Sequence, residues 1–182
     1  MNKVDYNLAS TMVRDGLVGV LPTDTLYGLI ASAQIESSVE RVYGLKKRNS
    51  NKPCIVLIDS IDRLNDFGVL INDEERDLLS TLWPGSNSVV IKVSKAPIYL
   101  TRNQNTLAFR VPSSDTLIDF LKKTGPVIAP SANIESMKPA ETVSDAEVYF
   151  GDEIDFYVDG GVKSCRPSRV IIMNNKKLKF IR

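Results

Sequence analysis

LPTDTLYGL, Leu21 to Leu29, follows the apolar run LVGVL and crowds Pro22, Thr23, Asp24, Thr25 and Tyr27 into a few positions. The run itself reads as a strand, Leu17 to Leu21. Turns draw on Gly, Asn, Asp, Pro and Ser, and ordinary turn chemistry does not ask for two threonines bracketing an acid. That excess of hydroxyls and one carboxylate at the end of a strand is the first sign of a site.

Working outward, Asn7 to Arg14 carries Leu8, Met12 and Val13 at helical spacing and stops at Gly16, a C′ glycine. Downstream, Ser37 and Glu40 read as a capping box for a helix that runs toward Lys46. CIVLI, Cys54 to Ile58, is a short apolar run of the kind covered on both faces of a sheet. Ile61, Leu64 and Phe67 before Gly68, then Leu78, Leu79 and Leu82 after a cap at Asn72 and Glu75, predict two further helices. The second ends at Pro84 and Gly85.

Strands follow at Ser88 to Val93, Thr106 to Val111 and Val127 to Ala129, with a helix at Ser114 to Lys123 between the last two. A helix near Ser144 to Phe150, a strand near Phe156 to Val158 and a hairpin (Val170 to Met173, Asn174-Asn175, Leu178 to Ile181) close the chain. The elements interleave without strict βαβ repetition. They predict an α/β domain on a twisted, open, mixed sheet with flanking helices, as one domain over residues 1–182.

Composition narrows the chemistry. With 182 residues and 43% hydrophobic content the chain can bury a core unaided, and 23 Lys+Arg against 22 Asp+Glu leave no global field to gather nucleic acid. The N-terminal segment MNKVDYNLAS has no apolar signal core and no run approaches a membrane span, so a cytoplasmic protein without a membrane partner is expected. Cys54 and Cys165 show no metal spacing, and Cys54 reads as a buried thiol. There is no histidine, which removes Ser-His and Cys-His pairs and HExxH zinc chemistry. No metal site is expected from side chains.

Polar residues collect where strands end. In TLAFRV, alternation puts Leu107, Phe109 and Val111 on one face and Thr106, Ala108 and Arg110 on the other. Arg110 there could grip a carboxylate or phosphate, or be a solvated arginine on a half-exposed sheet. Lys46, Lys47, Arg48 and Lys52 sit at a helix end, where cations meet the macrodipole; an unwound exit would turn Lys46 and Arg48 the same way. Ser131 and Asn133 in VIAPSAN follow a buried strand, the usual place for binding groups in open α/β sheets, or are turn residues. VDGG (Val158 to Gly161) and Pro167-Ser168-Arg169 repeat the theme. Together these loops suggest a cleft for a polyanion, although neither GxxxxGK[ST] nor GxGxxG is present.

PTDTLYGL, Lys46-x-Arg48 with Lys52-Pro53, WPG at Trp83 to Gly85, Thr106-x-x-x-Arg110-Val111-Pro112, APSAN, DGG and Pro167-Ser168 stand in an order that resembles the YrdC-like threonylcarbamoyl-AMP synthases. The resemblance spans nearly the whole chain and implies an open α/β domain with a cationic concave surface. It implies a nucleotidyltransferase reaction in which L-threonine, bicarbonate and ATP give threonylcarbamoyl-adenylate and pyrophosphate. The product would pass to a downstream transferase that modifies tRNA. On this resemblance Thr23, Asp24 and Thr25 line a pocket for a small hydroxylated amino acid, with Tyr27 bracing the bend, rather than only capping a turn, and Thr25 and Arg110 contact threonine. Lys46, Arg48, Lys52 and Thr106 grip the bicarbonate-derived group and the ATP phosphates, and Ser131 and Asn133 stand between amino acid and nucleotide. Ser168 matches a family hydroxyl near the substrates, and Arg182 matches an ATP contact. Lys46, Arg48, Ser131 and Asn133 would form the catalytic set, with Mg2+ arriving on the nucleotide.

Two stretches depart from the family pattern: WPGPxT is WPGSNS here, with a hydroxyl kept at Ser88, and NxSGxP is NIESMKP, without glycine. Two other readings compete. One is a related ATP-dependent carbamoyl-transfer enzyme; the other is a non-catalytic RNA-binding module, which near-zero net charge disfavours.

Overall fold

The computed structural model describes residues 2–174 and 177–181. LPTDTLYGL is a hairpin. Strand β1 (Gly19–Pro22) turns through Thr23 to Leu26 and returns as β2 (Tyr27–Ser32), in antiparallel register Val20↔Leu29 and Pro22↔Tyr27. The two threonines do serve the turn, against expectation. Thr23 Oγ1 donates to Leu26 O at 2.7 Å and accepts Thr25 N at 3.1 Å, so a side-chain hydroxyl supplies contacts usually left to Gly or Asn. β2 was not foreseen. All six of its residues are buried, which erases the alternation that marks a half-exposed strand.

Around this hairpin the chain adds α1 (Tyr6–Arg14), α2 (Glu36–Lys46), β3 (Ile55–Leu57), α3 (Asp73–Ser80), β4 (Asn87–Lys92) and α4 (Ile98–Thr101). It continues with β5 (Thr106–Arg110), α5 (Asp115–Thr124), β6 (Val127–Ile128), α6 (Val143–Phe150), β7 (Phe156–Tyr157), β8 (Arg169–Asn174) and β9 (Lys177–Phe180). Ile61–Phe67 is a 3-10 helix rather than an α-helix, and α4 is an addition to the predicted set. The Asn72/Glu75 capping box is present at the start of α3. The Ser37/Glu40 box is not: α2 begins at Glu36 after Ile35, which places both residues inside the helix, and Glu40 pairs with Arg102 at 2.8 Å. Asn175, in the predicted hairpin turn, and Arg182 lie outside the described residues.

The described strands form one mixed sheet in the order β7-β1-β2-β6-β3-β5-β4-β8-β9. Parallel pairs β1/β7, β3/β5 and β4/β8 sit among antiparallel ones, so the predicted twisted mixed α/β sheet is what forms. Each face carries its own core. On one, α2, α3 and α6 cover Val20, Leu29, Val56, Phe109 and Ile128. On the other, Ala9 and Val13 of α1 and Leu117, Phe120 and Leu121 of α5 cover Leu21, Ile30, Leu57 and Val127. At the ~25 cal/mol per Å² of buried apolar surface, these two layers supply most of the drive to fold. Alternation in β5 holds: Leu107 and Phe109 join the first core, and Arg110 lies opposite Leu57 of the second.

Candidate functional site

A cavity of about 240 Å³ opens beside the second core, whose Ile55 and Ala129 form part of its floor. The serines and threonines Thr23, Thr25, Ser131 and Ser168, together with Tyr27, and two arginines, Arg48 and Arg110, border it. Gly28 lets its walls close. A Cβ there would stand 3.2 Å from Thr23 Cγ2 and 3.6 Å from Pro130 O, so the threonine turn and the strand leaving β6 approach across a bare backbone. A bridge between Gly28 and Ser131 fixes the serine beside the hairpin.

Arg110 is buried, not solvated. Its side chain is 4% exposed and Nη2 lies 3.1 Å from Oδ1 of Asp24, itself 2% exposed. Nη1 donates to Thr25 Oγ1 at 3.3 Å, while Asp24 Oδ2 accepts Ser113 N at 3.1 Å. The 3.1 Å ion contact is poorly aligned for hydrogen bonding, and Arg110 Nε and Asp24 Oδ1 have no hydrogen-bond partner among the described residues. Burial pulls Arg110 below the ordinary guanidinium value and Asp24 opposes that pull. A buried guanidinium with unused donor capacity, one wall of a hydroxyl-lined hollow, suits a small carboxylate.

Lys46 behaves differently. Its Nζ donates to Ser131 O at 2.6 Å, Asn133 O at 2.7 Å and Asn133 Oδ1 at 3.1 Å. Ser131 Oγ donates to the same Oδ1 at 2.6 Å, so lysine, asparagine and serine form one network with Ser131 at the cavity wall. Burial, then the nearby Arg48 charge, lowers Lys46 from 10.5 to about 8.

The helix exit is unwound, yet Lys46 and Arg48 do not turn the same way. Lys47 takes a left-handed conformation (φ 50°, ψ 39°), Lys47 N donates to Gly44 O and Arg48 N to Tyr43 O, each at 3.0 Å, the paired bonds of a Schellman ending. Lys46 therefore turns inward behind Ser131 while Arg48 enters the cavity wall.

Among the other expected site residues, Ser168 lines the cavity and meets Ser88 Oγ at 3.0 Å, so the hydroxyl kept in WPGSNS has a structural partner. Asn133 stands one residue back, in the Lys46 network. Lys52 points to Glu135 at 3.3 Å, and neither Lys52 nor Thr106 borders the cavity. Thr106 opens β5 and Arg110 ends it, about 13 Å apart along one strand face. Tyr27 braces the DGG loop rather than the bend: its Oη donates to Gly161 O at 2.8 Å and accepts Gly160 N at 2.9 Å. In NIESMKP, Ser136 adopts φ 73°, a conformation that suits the glycine of the family pattern. Cys54 is buried and Cys165 exposed. Among the described residues no group of three or more His, Cys, Asp or Glu is placed so that it could hold a metal ion.

Three residues went unremarked or under-read by sequence reasoning: Asp24 as the Arg110 counter-charge, Ser113 as the holder of Asp24, and Glu135. The last donates its N to Lys46 O at 2.8 Å and accepts Asn49 N at 2.7 Å, tying the two cavity loops together. Only Asp24 carried a sequence signal, its place between two threonines.

Fold and cavity together define an open α/β protein with a cavity bordered by arginines and hydroxyls. The Sua5/YciO/YrdC family profile, described as telomere recombination, matches residues 11–182, and the chain belongs to that family. It is 34% identical over 158 residues to a threonylcarbamoyl-AMP synthase of Pyrococcus abyssi, covering 85% of this chain and 46% of the relative. It is 31% identical over 164 residues to a threonylcarbamoyl-AMP synthase of Pseudomonas aeruginosa, covering 90% of this chain and 89% of that one. The crystal structure of P. abyssi Sua5 complexed with L-threonine superposes with a TM-score of 0.89 at 28% identity, over 97% of this chain and 53% of that one. The chain thus spans about half the length of the archaeal relatives and most of the Pseudomonas one.

Proposed function

We propose that this chain is a threonylcarbamoyl-AMP synthase: it joins L-threonine, bicarbonate and ATP into threonylcarbamoyl-adenylate, releasing pyrophosphate, to supply threonylcarbamoyl groups for tRNA modification. The single observation that carries the reading is the cavity in which Arg110 and Thr25 face Arg48 and Ser131. Likeness to synthases at 34% and 31% identity supports it.

In this reading the threonine carboxylate lies on Arg110, with the Thr23 and Thr25 hydroxyls beside it. The amine attacks the bicarbonate carbon and a C–N bond forms as water leaves. A carbamate oxygen then attacks the α-phosphorus of ATP and the bond to pyrophosphate breaks. Every reactant is anionic, so the barrier falls chiefly through positioning and charge neutralisation by Arg48 and Arg110, with Ser131 oriented by Lys46 and Asn133. A cavity of about 240 Å³ suits an amino acid and its carbamate better than a whole nucleotide; ATP would enter phosphates first, its Mg2+ held by phosphate and water. Lys52 and Thr106 remain candidates for the outer phosphates, Asn133 for the junction and Ser168 for the substrate side. Among the described residues no helix is long and apolar enough to cross a membrane, which accords with the proposed cytoplasmic location.

The test incubates purified protein with ATP, labelled bicarbonate and single amino acids. Labelled acyl-adenylate and pyrophosphate that depend on threonine are expected. Pyrophosphate release that ignores the amino acid would overturn the threonine assignment, and steeply salt-dependent tRNA binding with no pyrophosphate would favour the RNA-binding reading.

A further inference from the structure

Arg48 reaches the cavity wall on a long side chain at a helix exit, a place where a guanidinium would ordinarily sweep through solvent. One residue restrains it three times. Tyr43 O accepts Arg48 N at 3.0 Å, and Arg48 Cζ lies 6.0 Å from the Tyr43 ring centroid. Tyr43 Oη also donates to Lys52 O at 2.8 Å, the same carbonyl that accepts Arg48 Nε at 3.1 Å. The two lone pairs of one oxygen thus bind the tyrosine and the arginine side by side. Arg48 Nη2 adds a bond to Pro53 O at 3.1 Å, and Nη1 makes no hydrogen bond within the described residues, which leaves that corner for a ligand.

The tyrosine cannot drift. Arg102 Cζ sits 3.7 Å from its ring centroid and Arg102 Nη1 is tied to Glu40 at 2.8 Å. Arg102 Nε and Nη2 are buried without hydrogen-bond partners among the described residues, a cost that contact with the ring's π face offsets. Burial raises the phenol to about 12, so its proton stays on to be donated.

We propose that Tyr43 is a positioning residue: its hydroxyl fixes the Lys52 carbonyl, and that carbonyl aims the Arg48 guanidinium at a phosphate-class anion in the cavity. The inference rests on reading the cavity as the site of the ATP phosphates. Without the hydroxyl, Lys52 O would be held chiefly by the very arginine it is meant to hold.

A double-mutant cycle tests this by calorimetric titration of inorganic pyrophosphate and ATP into the wild type, Tyr43→Phe, Arg48→Ala and the double variant. Tyr43→Phe keeps the ring on Arg102, and it is expected to weaken pyrophosphate binding about 3- to 10-fold, the loss for one hydrogen bond. In the Arg48→Ala background the same change should be silent. Steady-state KM for ATP should rise and kcat fall, because the misaimed Arg48 also serves the barrier, while the KM for threonine holds, a split that general loosening would not give. An equal loss in both backgrounds, no loss in either, or a joint rise of both KM values would overturn the proposal.

Should Tyr43→Phe melt too low to assay, Arg102→Gln, which frees the ring and keeps the hydroxyl, is run through the same cycle and judged by the same outcomes. Coupled pyrophosphate binding without any threonine-dependent adenylate would sink the proposed activity and leave Tyr43 in its role. Adenylate formation without coupling would do the reverse.

Discussion

Two buried cations, Lys46 and Arg110, serve this site in opposite ways. Lys46 gives its ammonium to three oxygens of Ser131 and Asn133, whereas Arg110 meets one carboxylate and one hydroxyl and keeps a buried Nε with no hydrogen-bond partner among the described residues. The lysine acts as a rivet that shapes the loop carrying Ser131. The arginine retains donors that a ligand carboxylate can take. Positive charge near a site and positive charge available to a ligand are thus separate properties, and only hydrogen-bond occupancy tells them apart.

The strongest way to break the comparison is to remove the available cation. Arg110→Ala leaves Asp24 as a buried carboxylate without a counter-charge, and losing one partner of such a pair costs about 3–5 kcal/mol of stability. Conditions that keep the variant folded should still show threonine affinity weakened about 10- to 100-fold, the range for a charged hydrogen-bonding group. Denaturant midpoints and threonine titrations read the two effects separately. Unchanged threonine affinity would remove Arg110 from the recognition role.

Removing the rivet should do less to the fold and nothing direct to the threonine carboxylate. Lys46→Met strands two backbone carbonyls but also relieves a desolvated ammonium, so the net loss is about 1–3 kcal/mol. Its pH signature is more telling. Lys46 titrates near 8 in the folded protein against 10.5 ordinarily, so between those values the unfolded chain binds more protons. The pH-linked part of the Lys46 contribution therefore grows as pH rises through that window, as the penalty of burying a charged ammonium is relieved, and is flat below about 8. Melting curves of wild type minus Lys46→Met across the window should show this rise; a flat difference would mean that the carbonyl cage holds the ammonium charged throughout.

Much of this contrast was hidden in the sequence for a physical reason. Lys46, Arg48, Arg110 and Ser131 were legible because side-chain type announces them, and the structure sets the last three around one cavity with Lys46 directly behind Ser131. The acceptors that decide what Lys46 does are largely backbone carbonyls, which have no residue signature. The Asp24–Arg110 pair joins a hairpin turn to the end of a distant strand, a contact that local spacing cannot reveal. β5 was readable because one face packs and the other does not; β2 was not, since burial on both faces removes the period and Thr23 replaces the usual turn residues. The cap at Asn72 held because its signals are local, while the Ser37 pattern yielded to a helix that begins earlier.

The smallest predicted effect sharpens the comparison at the point where the rivet meets its helix. Lys47 pays a backbone cost, being an L-residue at φ 50° in a position that favours glycine. Lys47→Gly should remove steric strain of about 1–2 kcal/mol, while the freer unfolded chain returns roughly 0.5–1, for a net gain of up to about 1.5 kcal/mol. If the three Lys46 contacts are what hold that turn against its strain, the same substitution placed in Lys46→Met should recover at least as much stability as it adds to the wild type. A smaller recovery there, measured by urea unfolding, would mean that the turn forms independently and that Lys46 shapes only the Ser131 loop. A loss of stability in the single variant would instead assign weight to the Lys47 ammonium at the helix C-terminus, where a cation contributes about 0.3–1 kcal/mol.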